Sequence, residues 1–382
     1  MSAVNLLLVY ILLAFAAASA LDTLPPLLTF SEWMQVHNKR YVNENEYRQR
    51  EGIFEKEVAS IQKHNALYLK GESRYYLGLN QYSDLEDEEF KQTYLMTKEI
   101  HRQNRPEDKR WRFEQLKVEP GTSVDWREKG VVAPVQDQGA CGSCYAFAGT
   151  GAASSTYALR SNSSEPFVYG SVQEVLDCCS PPDTYCCYGC DGGEPVLIMN
   201  WMALPQGVDS STDWPYTSGP TATTNTCDAD KMNNEVSHII QIEGGERPPQ
   251  YNETAMMQAL MTRPVTIDID VEGNFRSYAG GVYDDVGCGT TIWHAVLLVG
   301  FDYTGEGEGV DYFIMQNSWG ESWGEGGYMK MSMGVGNHYL HFIVLIVCIT
   351  CLPTYCTISD EPNGVCCLNC YPAIALLNED TE

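Results

Sequence analysis

Gln136-Asp-Gln-Gly-Ala-Cys-Gly-Ser-Cys-Tyr-Ala-Phe147 is a glycine-rich loop running into an alanine-rich stretch, Tyr145 to Arg160, whose composition predicts a helix weakened by Gly149 and Gly151. A thiol is a useful nucleophile only as thiolate, so a reactive cysteine needs a feature that lowers its pKa. The N-terminus of a helix carries about half a positive charge, and a nearby imidazolium adds more. Cys144 stands where the loop gives way to the helix, which is that position. Gly139 and Gly142 let the backbone turn tightly and let a substrate carbonyl approach closely. Two later segments can complete the chemistry. Trp293-His294-Ala-Val-Leu-Leu-Val-Gly300 opens an apolar strand with a histidine, 150 residues beyond Cys144. Gln316-Asn317-Ser-Trp-Gly-Glu-Ser-Trp-Gly-Glu-Gly-Gly327 supplies an asparagine 23 residues further on. Taken singly, each has a bland reading: a histidine before a strand is usually structural, and Asn-Ser-Trp-Gly can be only a turn.

Together they form a pattern. Cys141-Gly-Ser-Cys-Tyr145 resembles the active-site signature of papain and the cathepsins, in which the second cysteine is the nucleophile. Most members carry Trp where this chain has Tyr145. The resemblance implies that His294 pairs with Cys144 as general base and that Asn317 accepts the other ring N–H, with Trp319 covering that hydrogen bond. It makes Gln138, six residues before the nucleophile, the oxyanion-hole glutamine beside the Cys144 backbone N–H. The implied function is a cysteine endopeptidase cleaving protein or peptide substrates through a thioester, as a monomer, with no cofactor and no metal. Zinc is the competing use of Cys141-x-x-Cys144 and Cys187-x-x-Cys190, but the 42 residues between the pairs exceed usual zinc-ribbon spacing. A catalytically weak storage or binding protein is the rival from another class; nothing at the four catalytic positions favours it.

The resemblance extends to the groove and the disulfides. Glu174-Val-Leu-Asp-Cys178 and Tyr188-Gly-Cys-Asp-Gly-Gly193 resemble the family's two cysteine segments, implying pairs Cys141–Cys190 and Cys178–Cys227, with Cys288 joined to Cys366. Cys179, Cys186 and Cys187 exceed that pattern. Gly192 and Gly193 are expected to bind the peptide as an added strand. In Pro264-Val-Thr-Ile-Asp-Ile-Asp270, alternation puts Val265, Ile267 and Ile269 on one face and Thr266, Asp268 and Asp270 on the other. By resemblance Asp268 borders the S2 pocket, with Glu194 a second carboxylate nearby; together they would accept a basic P2 residue, whereas the plainer reading leaves Asp268 in solvent. The C-terminus departs from the family: Tyr339 to Leu352 is an apolar run of 14 residues, too short to span a membrane comfortably, and residues 339–362 read as an insertion.

The rest of the chain sets the context. All 15 cysteines lie at or after Cys141, and the first 20 residues read as a signal peptide ending in Ala18-Ser-Ala20, so an oxidising compartment is expected. Asn162-Ser-Ser and Asn252-Glu-Thr are glycosylation sequons. Between Leu21 and Phe113, 15 basic residues oppose 16 acidic ones; beyond, 9 oppose 35. Such an acidic body repels nucleic acid and anionic membranes, and suits a lysosome, an acidic vacuole or the extracellular space. Glu46, Arg50, Phe54, Ile61 and Asn65 recur at helical intervals. Glu46-x3-Arg50-x2-Ile53-Phe54 and Ile61-x3-Asn65 resemble the long-helix motif of the family's inhibitory propeptide, with Glu57 where Asn is usual; Gly78-x-Asn80-x-Tyr82-x-Asp84 resembles its second motif. The expected organisation is a signal peptide over 1–20, an α-helical propeptide over 21–115 and a peptidase domain over 116–382. Its class is α+β, a two-lobed papain-like fold with a helical lobe and an antiparallel β-barrel-like lobe.

Overall fold

The computed structural model describes residues 24–96, 113, 115–160, 166–179, 187–205, 207–232, 238–249, 252–285, 294–305, 310–334 and 373–376. The expected signal peptide, Asn162, Cys186, Cys288, Trp293, Cys366 and the insertion at 339–362 lie outside the described residues.

Thr29 starts the first helix, α1 (Phe30–Val36), through a reciprocal cap: its hydroxyl accepts the Glu32 N–H at 3.3 Å, and the Glu32 carboxylate accepts the Thr29 N–H at 2.8 Å. Asn43 caps α2 (Glu44–Leu69) with its side chain, accepting the Glu46 N–H at 3.0 Å. The residues expected at helical intervals work together. Phe54, Ile61 and Asn65 are buried, and Arg50 forks onto Glu89 at 2.5 and 2.6 Å. The Asn65 amide accepts the Leu77 N–H at 2.8 Å and donates to the Leu77 carbonyl at 2.9 Å, so the helix holds strand β1 (Tyr75–Leu77). Asp84 accepts from Lys39 Nζ and the Tyr41 hydroxyl, both at 2.9 Å, and α3 (Asp87–Tyr94) follows.

Helices dominate the next stretch and strands the last, which is the α+β class. After β2 (Thr122–Asp125), α4 (Cys144–Arg160) runs through the middle of the body, with α5 (Val172–Cys178) and α6 (Pro195–Met202) beside it. Gly149 weakens α4 for a reason visible in three dimensions. A Cβ there would lie 3.0 Å from both the Ile198 Cβ and the Pro195 carbonyl, so the glycine lets α6 pack against α4. Short strands β3 (Val208–Asp209), β4 (His238–Ile240) and β5 (Gly244–Glu246) precede α7 (Glu253–Leu260). The main strands are β6 (Val265–Ile269), β7 (Tyr278–Tyr283), β8 (His294–Tyr303), β9 (Tyr312–Gln316) and β10 (Tyr328–Ser332), and β11 (Ile374–Leu376) pairs with β5.

The ten-residue β8 organises the large sheet. One edge pairs with β9; along the other, β6 lies opposite the first half of β8 and β2 opposite the second. The order continues from β9 through β10 and β7 to β1. The barrel-like expectation needs correcting here. Among the described residues the sheet does not close, because β7 presents its outer edge to β1 rather than to β6 or β2, and β7 runs parallel to β10 while the other pairs are antiparallel. Both faces of β8 are buried. Val296 and Leu298 enter the sheet-side core, and Ala295, Leu297 and Val299 enter the core shared with α4. Each fully buried aliphatic side chain contributes about 1.5–3 kcal/mol. The same logic corrects the solvent reading of Asp268. Val265, Ile267 and Ile269 do line the sheet-side core, but Thr266, Asp268 and Asp270 are buried on the opposite face.

Candidate active site

Cys144 is the first residue of α4, fully buried, and its Sγ accepts the backbone N–H of Ala295 at 3.3 Å. That places it against the start of β8, whose first residue is His294. The His294 Nε2 lies 2.7 Å from Asn317 Oδ1. Because Oδ1 also accepts the Ser318 N–H at 2.8 Å, it is the acceptor in both contacts, so Nε2 carries the ring proton. Nδ1 is then the basic nitrogen, and it has no hydrogen-bond partner among the described residues. The Trp319 ring lies 4.6 Å from the imidazole, tilted by 30°, and is itself fully buried.

Electrostatics in this covered site favour uncharged partners. Burial pushes the Cys144 thiol up to about 12, the Ala295 N–H pulls in the opposite direction, and the charge of Asp268 raises it further. Burial likewise lowers His294 to about 4, against the contact with Asn317.

The N-terminal segment helps to cover them. Gln138 Nε2 donates to the carbonyl of Tyr94 at 2.8 Å and to that of Cys141 at 2.9 Å. A Cβ on Gly142 would fall 2.9 Å from the Leu95 carbonyl, so the glycine expected to admit a peptide carbonyl does so for the chain's own backbone. Leu95 and Met96 are buried, Met96 within the core that contains Cys144 and Tyr145. Gln81 donates to the Trp319 carbonyl at 2.5 Å and accepts from the Ser322 hydroxyl at 2.7 Å.

The remaining expected residues fall as follows. Cys141 is bonded to Cys190 and Cys178 to Cys227. Cys179 is also disulfide-bonded, while Cys187 is a buried thiol. The Gly192 carbonyl accepts the Tyr188 N–H at 2.8 Å, and Gly193 bridges to Cys187. Tyr145 fits beneath this segment, its hydroxyl donating to the Gly189 carbonyl at 2.8 Å. Glu194 Oε1 takes Arg247 Nη2 at 2.5 Å in a buried pair. Asp268 lies opposite Ala295 across the β6–β8 pair, near enough for its charge to act on Cys144. Sequence reasoning missed Ser318, whose hydroxyl donates to Gln138 Oε1 at 2.7 Å and so aims the amide at the Tyr94 carbonyl. It adjoins Asn317, but nothing local signals the bond.

This arrangement of thiol, imidazole, orienting amide and carbonyl-binding amide defines a class. The chain belongs to the papain family: the family model described as papain family cysteine protease matches residues 120–342, and the cathepsin propeptide inhibitor domain matches residues 30–90. Among relatives, the probable cysteine protease RD21B of Arabidopsis thaliana is 35% identical, over 80% of this chain and 62% of its own length. A cathepsin L-like proteinase of Phaedon cochleariae is 33% identical over 79% of this chain and 87% of its own. The chain thus spans about three-fifths of the length of the Arabidopsis relative. Among solved structures, a recombinant stem bromelain precursor superposes with TM-score 0.71 at 29% identity, covering 91% of this chain and 98% of that one. Digestive procathepsin L 3 from the Tenebrio molitor larval midgut gives 0.70 at 26% identity, covering 92% and 100%. Among the described residues no helix is long and apolar enough to cross a membrane.

Proposed function

We propose that the chain is the precursor of a cysteine endopeptidase, with residues 1–20 a signal peptide, 21–115 an inhibitory propeptide and 116–382 the peptidase domain. It acts as a monomer on protein or peptide substrates in the secretory pathway, a lysosome or vacuole, or outside the cell. Cys144 attacks the scissile carbonyl. His294 Nδ1 takes the thiol proton and delivers it to the leaving amine, and water then hydrolyses the thioester. Asn317 holds the ring in the tautomer that leaves Nδ1 basic. The Gln138 amide and the Cys144 N–H stabilise the tetrahedral oxyanion, each contributing about 3 kcal/mol. Trp319 keeps water from the His294–Asn317 bond, Gly192 and Gly193 border the peptide, and Asp268 stands at the floor of the groove.

The observation that carries this reading is the Tyr94 carbonyl held by the Gln138 amide, with Leu95 and Met96 buried beside Cys144. A peptide of the chain itself occupies the position a substrate would take, and burial keeps thiol and imidazole uncharged while it does. The test is Cys144→Ala. Acid-matured wild type should cleave a peptide substrate and react covalently with an epoxide or vinyl-sulfone peptide. The variant should do neither yet still bind the peptide. Turnover by the purified variant would overturn the mechanism, and an unreactive wild type would favour a storage or binding protein.

A further inference from the structure

Outside the cleft, one cation of the body is gripped by the N-terminal segment from several directions. Arg276 immediately precedes the residue pair Ser277–Tyr278 at the start of β7. Its Nη1 lies 3.1 Å from Asp87 and donates to the Leu85 carbonyl at 3.0 Å; its Nη2 lies 3.5 Å from Glu57. The guanidinium also sits over the Phe90 ring at 5.6 Å. Glu57 binds a second neighbour, accepting the Ser277 hydroxyl. Arg276 and Glu57 side chains are only 12% and 14% exposed, so this is no screened surface pair. A planar guanidinium with a stacked ring, a carbonyl and two acids around it is a built recognition point. Position 57 is also where the propeptide motif departs from its usual asparagine, and an asparagine there would carry no charge to Arg276.

We propose that Arg276 and Ser277 form an anchor that reads Glu57 of α2, and that Glu57 makes the body selective for its own N-terminal segment over one bearing asparagine at that position. The anchor is separate from the cleft contacts of residues 94–96. This rests on the reading of residues 24–96 as an inhibitory segment.

The experiment uses the full chain carrying Cys144→Ala, which removes self-processing. Docking is read at neutral pH from hydrogen exchange of the Val282 N–H, which donates to the Arg74 carbonyl at 3.0 Å and is protected only while the segment is seated. Glu57→Asn should speed that exchange roughly 10- to 100-fold, Glu57→Asp should restore most of the protection, and Arg276→Gln should speed it at least as much as Glu57→Asn, because it also gives up Asp87 and the Leu85 carbonyl. The two changes combined should speed exchange by less than the product of their separate effects, since either one already breaks the pair. Amides of β8 and β9 report whether the body itself stays folded; if Arg276→Gln loosens them, Glu57→Asn and Glu57→Asp decide alone. Unchanged Val282 exchange in Glu57→Asn, or effects of the two changes that simply add, would overturn the anchor. Because this chain cannot turn over, the result is independent of the catalytic reading, which fails instead if matured wild type shows no peptidase activity.

Discussion

At the scale of single residues, the amide of Gln138 has two carbonyls to serve in the covered site, Tyr94 and Cys141, and one hydroxyl, Ser318, fixing its orientation. A donor aimed at a developing oxyanion stabilises the transition state more than the bound ground state, so its loss falls mainly on kcat. Gln138→Ala should lower kcat of the matured enzyme by on the order of 10²–10³-fold with little change in KM. Ser318→Ala should cost less, because the Cys141 carbonyl still holds the amide, and the double variant should be no worse than Gln138→Ala alone. Steady-state kinetics of the three variants check this, and additive losses would show that Ser318 acts elsewhere. Asp268 poses a specificity question. It is buried beside Cys144, not in solvent. The ratio of kcat/KM for P2 Arg over P2 Leu substrates should fall in Asp268→Ala, and an unchanged ratio would remove Asp268 from specificity.

At the scale of elements, α5 and β3 meet through a buried acid. Glu174 Oε2 accepts the Asp209 N–H at 2.7 Å, and burial raises its carboxyl to about 8. The folded chain therefore holds a proton on Glu174 between about pH 4.5 and 8 that the unfolded chain releases. The associated stability is fully present below about pH 4.5 and is lost as pH rises through 8. Glu174→Gln mimics the protonated side chain at every pH. Thermal unfolding between pH 6 and 9 should show the wild-type Tm dropping several degrees more than that of the variant. Parallel curves would mean that Glu174 is ionised in the fold.

For the whole molecule, the N-terminal segment converts burial into control. A His294 held near 4 binds fewer protons in the covered state than when exposed, so between about 4 and 6.5 the covered state gains stability as pH rises and loses it as pH falls. The full shift corresponds to about 3 kcal/mol. Free thiols alkylate more slowly in acid, because thiolate is lost. The intact precursor should behave in the opposite sense. Iodoacetamide should scarcely modify Cys144 at pH 7 and should react faster as pH approaches 4, as acid loosens the segment. Mass spectrometry of the uncleaved chain after brief exposure measures this, and a rate that only falls with acid would refute it.

The amino-acid sequence alone determined the candidate catalytic set and much of the helix of the N-terminal segment. The loop-to-helix junction at Cys144, the His opening an apolar strand and the Asn in a glycine-rich turn are local patterns, and their chemistry restricts which residue types can serve. Burial of Phe54, Ile61 and Asn65 likewise followed from helical period. Only the tertiary structure decided where polar groups found partners. Glu194 met Arg247, 53 residues away, and Ser318 met Gln138 across 180 residues. Asp268 was buried because a second core covers the polar face of β6, and the sheet stayed open because β1 pairs with β7. Periodicity states which face of an element is apolar; it carries no information on what a distant segment will bring to the other face.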